Sequence, residues 1–158
     1  MDFLIEKIKH QMPKSWKIIK KEEYANKGVY QTNDYEVLLA LETGDRVVSV
    51  NAYPETENFI EEYDQEIKET LKEIEGKDWQ KISFYNPIIY KYLKINNKRI
   101  YVSIFEVAQV PGFVSVQIFH DDKHTLGFFF SAKKEEVENL ESFFKTNVIA
   151  KNVIKFIM

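Results

Sequence analysis

The sequence contains no cysteine, which excludes disulfide bonds and thiolate metal sites. A chain without cysteine suits a reducing compartment, and we expect a cytoplasmic protein. Glycine is scarce as well, at five residues, and no phosphate-binding glycine loop is present. No hydrophobic run approaches the length of a membrane-spanning helix, and residues 1–9 mix acids and bases among their apolar residues, unlike a secretory signal. We therefore expect no insertion into a membrane.

Basic charge is almost missing from one stretch of the chain. Residues 55–75 contain nine acids and only two lysines, a net charge of −7. Because the whole chain has a formal charge of −3, the remainder carries +4. A protein with one concentrated acidic face repels the phosphate backbone, so we expect no nucleic acid among its partners.

Three consecutive apolar strands dominate the second half of the sequence. They are predicted over residues 99–107, 113–120 and 125–131. Pro111 and Gly112 form the turn between the first and second strands, and a charged turn separates the second from the third. A meander this apolar needs covering, so we expect helices to pack on it.

Hydrophobic periodicity and turn residues place the other elements around this meander. Together they predict a single α+β domain over residues 1–158, with a mostly antiparallel sheet of about six to eight strands, two main helices and an N-terminal helix. Before the meander, the predicted elements are a helix over 2–12, a strand over 14–19, a hairpin of strands 35–42 and 46–51 and an acidic helix over 55–75. Two strands over 79–85 and 88–95 follow, separated by Asn86 and Pro87, and a hairpin turn at Asn96 and Asn97 leads into the meander. After the meander we expect a helix that is capped by Ser131 and contains Val137, Leu140, Phe143 and Phe144, and a last strand over 152–157.

Pro13-Lys-Ser-Trp16 resembles the P-x-x-W motif at the start of PsbP-like domains. The order of elements from the acidic helix through the meander to Phe128-Phe-Phe-Ser-Ala132 and the closing helix is similar to that superfamily too. The superfamily includes a photosystem oxygen-evolving subunit, a Ran-binding nuclear-transport factor, bacterial lipoproteins and secretion-effector chaperones. The resemblance implies a non-enzymatic binding scaffold. No functional residue is carried over, because no binding motif matches position by position.

Two places in the sequence have residue types that could carry chemistry. His120-Asp-Asp-Lys-His124 offers imidazoles and carboxylates to a divalent ion, but these residues are also typical of a solvated hairpin tip. Glu106 is in register with apolar residues of its strand, so it is either a buried carboxylate or a residue turned outward at a bulge or edge. We favour the structural interpretation in both cases, and we expect no catalytic residue, no metal ion and no cofactor.

The acidic helix is the feature that most favours a function. Glu61, Glu62, Glu66 and Glu69 are candidate partner-binding residues, because a surface rich in carboxylates attracts a basic protein and favours specific association. The alternative is a solvated helix face without a function.

We expect a non-catalytic protein-binding module, either an immunity protein that blocks a basic toxin or a chaperone or adaptor for a secreted effector. The alternative is a carrier that holds a small hydrophobic ligand against Phe105, Phe119 and Phe128, although these residues also suit a packed core. An enzyme is the class with the least support.

Overall fold

The computed structural model describes residues 2–19, 36–43, 46–53, 59–121 and 125–158. The helices and strands, with 3₁₀ turns at Trp79–Lys81 and Lys134–Val137, are α1 (Asp2–Gln11), β1 (Lys17–Ile19), β2 (Glu36–Thr43), β3 (Arg46–Tyr53), α2 (Phe59–Ile74), β4 (Tyr85–Ile95), β5 (Lys98–Val107), β6 (Phe113–Asp121), β7 (Thr125–Lys133), α3 (Leu140–Thr146) and α4 (Val148–Ile157).

The described strands form a single antiparallel sheet in the order β1-β2-β3-β7-β6-β5-β4. The α+β class, the hairpin of β2 and β3 and the meander of β5, β6 and β7 are confirmed. Asn96 and Asn97 both have positive φ, at 48° and 67°, as a two-residue type I′ turn between β4 and β5 requires. The described part of the chain contains no helix that is both long and apolar enough to span a membrane.

The larger hydrophobic core lies between one face of the sheet and helices α1, α3 and α4. It contains Ile8 of α1, Phe143 of α3 and Phe156 of α4, packed against alternate residues of the strands. Trp16 joins this core with 9% of its surface exposed, and its amide donates to the carbonyl of Pro13 at 3.0 Å. The Pro-x-x-Trp segment is therefore a turn that ends α1 and places an indole ring under the sheet.

The opposite face of the sheet is covered by α2. Ile60, Ile67 and Ile74 are its buried residues, and Phe59, Tyr63 and Leu71 are partly buried beside them. These residues recur at steps of three and four and so lie on one side of the helix. Gly76, with φ of 71°, follows the end of the helix, where glycine readily adopts this conformation. The residues that were expected to begin this helix, 55–58, lie outside the described residues.

Gly127 of β7 leaves room for aromatic rings on the α2 face. A Cβ atom at this position would lie 2.9 Å from Phe129 Cε1, 3.1 Å from Tyr53 Cε2 and 3.2 Å from Phe119 Cε1. The rings therefore pack directly on the backbone of β7, and a side chain here would push them apart.

The predicted strand over residues 88–95 is part of β4, but the prediction of a separate strand over 79–85, divided from it at Asn86 and Pro87, is wrong. The chain makes a 3₁₀ turn at Trp79–Lys81 and then one strand, β4, which continues through Pro87 with a shift in register between Pro87 and Ile89. Proline is tolerated there because β4 is an edge strand, where a missing amide donor and a bulge disturb only one neighbour.

The predicted end of the chain is also corrected. Residues 152–157 belong to helix α4, not to a strand, and Asn147 caps this helix by accepting a hydrogen bond from the Ala150 amide at 2.9 Å. Ser131 is not a helix cap, because β7 continues to Lys133. The cap of α3 is Asn139, whose side chain accepts from the Ser142 amide at 3.0 Å.

The first strand is shorter than predicted. It covers only three residues, Lys17–Ile19, instead of 14–19.

Candidate functional site

Helix α2 is attached to the sheet through a cluster of aromatic rings near its N-terminal end. Phe59 stacks on Tyr53 with ring centroids 4.1 Å apart, and Tyr63 lies 5.1 Å from Phe119. Phe119 also packs edge-on against Phe129 at 5.6 Å. These contacts fix the inner side of the helix on β3, β6 and β7 and so determine which of its residues face outward.

Tyrosine hydroxyl groups add hydrogen bonds between α2 and the sheet. The Tyr63 hydroxyl donates to Gln117 Oε1 at 2.5 Å and lies 3.4 Å from Ser103 Oγ. Further along the helix, Thr70 Oγ1 lies 3.1 Å from the Tyr85 hydroxyl. Because a helix rotates by about 100° per residue, Tyr63 and Thr70 share one side of α2. Tyr63 on this side bonds to β5 and β6, and Thr70 bonds to the first residue of β4.

Asp64 holds the other side of the helix. Its carboxylate accepts from the Tyr101 hydroxyl at 2.6 Å and pairs with Lys68 Nζ at 2.8 Å. Burial alone would raise the pKa of Asp64, but the hydrogen bonds from Lys68 and Tyr101 outweigh it and lower the pKa below its ordinary value. For Tyr101, burial and the bond to Asp64 both raise the pKa of the phenol. These groups are therefore held in the charged aspartate and neutral tyrosine forms, which suits a structural contact.

The outer surface of α2 is divided between its two flanks. Glu62, Glu66, Glu69 and Glu73, which we call the acidic stripe, are exposed and fall within about 60° of one another around the helix axis. The two lysines of the helix, Lys68 and Lys72, lie on the opposite flank, and the only ion pair of α2 in the described part of the chain is Asp64–Lys68. The charge of the acidic stripe is therefore not neutralised within the described structure.

Glu61 is separated from the other predicted partner-binding residues. It lies on the lysine-bearing flank and lines a cleft of about 400 Å³ between the start of α2 and the β4–β5 hairpin. Tyr92, Tyr101 and Arg99 also line this cleft, and the Arg99 guanidinium lies 3.8 Å from the centre of the Tyr92 ring. The structure thus groups Glu62, Glu66 and Glu69 and adds Glu73, whereas Glu61 belongs to a different surface.

The two places with candidate chemistry have ordinary surroundings. His120 is the residue before the last of β6, and residues 122–124 of the turn considered for a metal ion lie outside the described residues. Among the described residues, no group of three or more histidines or acids is arranged to hold a metal ion. Glu106 is neither fully buried nor fully turned outward: its side chain is 22% exposed and pairs with Lys134 at 2.6 Å.

The three phenylalanines considered for a ligand carrier do not line one cavity. In the register of β6 and β7, Phe128 is opposite Ile118, and Phe119 is opposite Gly127. Phe128 therefore belongs to the larger core, and Phe119 lies on the other face of the sheet under α2. Phe105 packs on Tyr85, with ring centroids 5.0 Å apart.

No protein-family model and no curated protein matches the chain. A solved structure does: the solution structure of cyanobacterial PsbP, CyanoP, from Synechocystis sp. PCC 6803 aligns with a TM-score of 0.50 and 12% sequence identity, covering 88% of this chain and 82% of that one. The chain has a PsbP-like fold. At this identity the likeness concerns the fold and transfers no functional residue.

The sequence alone was nearly sufficient to predict which glutamates form the acidic stripe, but it did not show where the stripe lies relative to the sheet. Glu73 could have been added to the set, because it is four residues after Glu69 and shares its flank. Glu61 could have been removed, since it is one residue and about 100° away from Glu62. The sequence could not indicate that Tyr63 and Thr70 bond to the sheet, and so it could not indicate which side of α2 faces which strands.

Proposed function

We propose that this PsbP-like domain is a non-catalytic protein-binding module that docks a basic protein on the acidic stripe of α2. The observation that carries this proposal is the separation of charge around α2, with four exposed glutamates on one flank and the lysines on the other. Like charges at i and i+4, as in Glu62 and Glu66, destabilise a helix by about 0.2–0.5 kcal/mol per pair. The stripe therefore does not serve stability, and a complementary basic surface is what it suits.

Of the two forms of such a module, an immunity protein that covers a basic toxin fits this charge better than an effector chaperone or adaptor. An immunity complex depends on charge and is steered by it, whereas a chaperone holds a helix in an apolar groove. The resemblance to PsbP-like domains supports binding of either kind. We place the protein in the cytoplasm, because a chain without cysteine suits a reducing compartment.

The test is a pair of triple variants with the same change in net charge. One carries Glu62→Gln, Glu66→Gln and Glu69→Gln, and the control carries Glu135→Gln, Glu138→Gln and Glu141→Gln, which are exposed residues near α3 on the opposite side of the sheet. A partner captured with the wild-type protein is purified, and its association rate is measured by stopped flow.

We expect the α2 variant to associate at least about tenfold more slowly than the control variant. For the wild type, the association rate should fall steeply as NaCl rises from about 0.05 to 0.5 M, because screening shortens the range of the attraction. Equal rates for the two variants would reject the acidic stripe as the docking surface. A rate that does not change with salt would favour the chaperone form.

A further inference from the structure

Strand β4 forms one edge of the sheet and differs greatly from the strand at the other edge. It contains 11 residues, whereas β1 contains three. Among the described residues, no strand pairs with the outer side of β4. A long edge strand presents a row of backbone amides and carbonyls that can pair with another extended segment.

The turn at Asn96 and Asn97 determines which backbone groups of β4 point outward. In a two-residue type I′ hairpin, the residues that flank the turn exchange both hydrogen bonds, and here these residues are Ile95 and Lys98. Alternate residues back along the strand, Leu93 and Lys91, therefore also bond to β5. The amides of Lys94 and Tyr90 point away from the sheet.

Natural edge strands are often blocked by a bulge, a proline or charged side chains, and β4 has its protection at one end. The irregularity lies at Pro87, and the pairing with β5 is regular from Ile89 to Ile95. Lys91 and Lys94, both exposed, lie within this regular part. They discourage a non-specific partner but attract an acidic one.

The charged side chains of β4 and of the neighbouring part of β5 are all basic. Residues 85–105, which cover β4 and most of β5, contain Lys91, Lys94, Lys98 and Arg99 and no acid. In the described part of the chain, neither Lys91 nor Lys94 forms an ion pair. Two copies of β4 placed edge to edge would bring these lysines together, so like-charge repulsion disfavours a second copy as the occupant.

A groove of about 470 Å³ adjoins the same edge. It lies between the end of α2 and the start of β4, and its walls include Leu71, Ile74, Trp79 and Asn86. A strand added to β4 would turn alternate side chains towards α2. An apolar side chain of that strand could enter the groove, as in other complexes where a peptide binds between an edge strand and a helix.

We propose that β4 accepts an acidic, extended peptide segment as an additional strand, bonded to the outward amides and carbonyls of Tyr90 and Lys94, with one apolar side chain in the groove at Trp79. This basic edge lies on the lysine-bearing flank of α2, away from the acidic stripe. It is a second binding surface that takes an acidic partner, whereas the acidic stripe takes a basic one. The proposal for β4 does not depend on the function proposed for the acidic stripe.

The probe is a synthetic peptide of about eight residues that alternates glutamate and valine and carries one leucine near its end. A peptide with lysine in place of glutamate is the matched control. Amide hydrogen exchange is followed by NMR. With the acidic peptide, we expect the amides of Tyr90 and Lys94 to exchange at least about tenfold more slowly, while those of Lys91 and Leu93, already bonded to β5, change little.

Two variants at one position separate backbone pairing from charge. Lys94→Pro removes an outward amide without removing a bond to β5, and Lys94→Ala removes only the side chain. We expect Lys94→Pro to bind the acidic peptide about tenfold more weakly than Lys94→Ala. The double variant Lys91→Glu, Lys94→Glu keeps both amides, and we expect it to bind the lysine peptide in preference.

Several results would overturn the proposal. Equal affinity of Lys94→Pro and Lys94→Ala would show that the backbone of β4 is not used. Equal binding of the two peptides by the wild-type protein would remove the role of charge. Concentration-dependent dimers that protect Tyr90 and Lys94 without any peptide would show that the occupant is a second copy of the chain.

Discussion

Asp64 accepts hydrogen bonds from two side chains whose own surroundings differ. Tyr101 is fully buried in the sheet, whereas Lys68 is half exposed on the helix surface. These bonds lower the pKa of Asp64, although burial alone would raise it. A carboxyl group whose pKa is lowered by folding stabilises the native state above its unfolded pKa, and this contribution disappears as the pH falls through the folded value.

Asp64→Asn should therefore change the acid side of the stability profile. At pH 7 we expect the free energy of unfolding to fall by about 1 kcal/mol or less, because Lys68 remains accessible to water. The difference from wild type should shrink as the pH falls below 3.8, the ordinary value of the pKa. Urea denaturation at a series of pH values measures this difference in the free energy of unfolding.

The control for this measurement is Glu66→Gln, which removes the same charge from an exposed position of the same helix. We expect it to change the free energy of unfolding by about 0.5 kcal/mol at most at any of these pH values. If the two variants gave the same profile, the contacts of Asp64 with Tyr101 and Lys68 would have no energetic role.

At the level of elements, α4 shows where sequence patterns are ambiguous. Its buried residues include Ile149, Val153 and Phe156, which have the spacing of a helix but the residue types of a strand. Asn147 distinguishes the two, because its side chain caps the helix through the amide of Ala150. The strand β4 was misread for a similar reason, since proline is a strand breaker in the middle of a sheet but is tolerated at an edge.

Asn147→Ala should lower the free energy of unfolding by about 1 kcal/mol, because it leaves an amide at the start of α4 without its cap. Asn152→Ala is the matched control within the same helix; its side chain donates to the carbonyl of Val148 at 2.8 Å in an exposed bond. We expect the control to have the smaller effect in thermal and urea denaturation. Equal losses would mean that the cap contributes nothing specific.

For the candidate site, the sequence predicted the helix and its acidic character, because apolar residues at steps of three and four are a strong signal of a helix with one buried side. It did not predict the basic edge of β4, since residues 79–95 were divided into two strands and the position of a strand in the sheet depends on long-range pairing. Element types were thus predictable where periodicity was clear. Sheet order and the facing of each flank were not, because they depend on tertiary contacts.

At the level of the whole molecule, the sheet separates two cores of very different size. In the described part of the chain, 22 buried hydrophobic residues form the core beside α1, α3 and α4, and five form the core beneath α2. Elements with less buried apolar surface open at a lower free energy in the native state. The helix that carries the acidic stripe is therefore held by the smaller of the two cores.

Native-state hydrogen exchange in low concentrations of urea should show this difference. We expect the amides of Ile67 and Leu71 in α2 to exchange through an opening of lower free energy than those of Val153 and Phe156 in α4. The larger core should open only with global unfolding. Equal opening free energies for the two helices would show that the molecule unfolds as one cooperative unit.

The pairing of β3 with β7 has a consequence for how quickly this fold forms. Strands β4 to β7 each pair with the next strand along the chain, so their hairpins close over short distances. Ser49 and Phe129, in contrast, are partners across the sheet although 80 residues separate them. Closing so long a loop carries a large entropic penalty before any contact compensates for it. We therefore expect the meander to assemble early and the docking of the β2–β3 hairpin on β7 to limit the rate of folding.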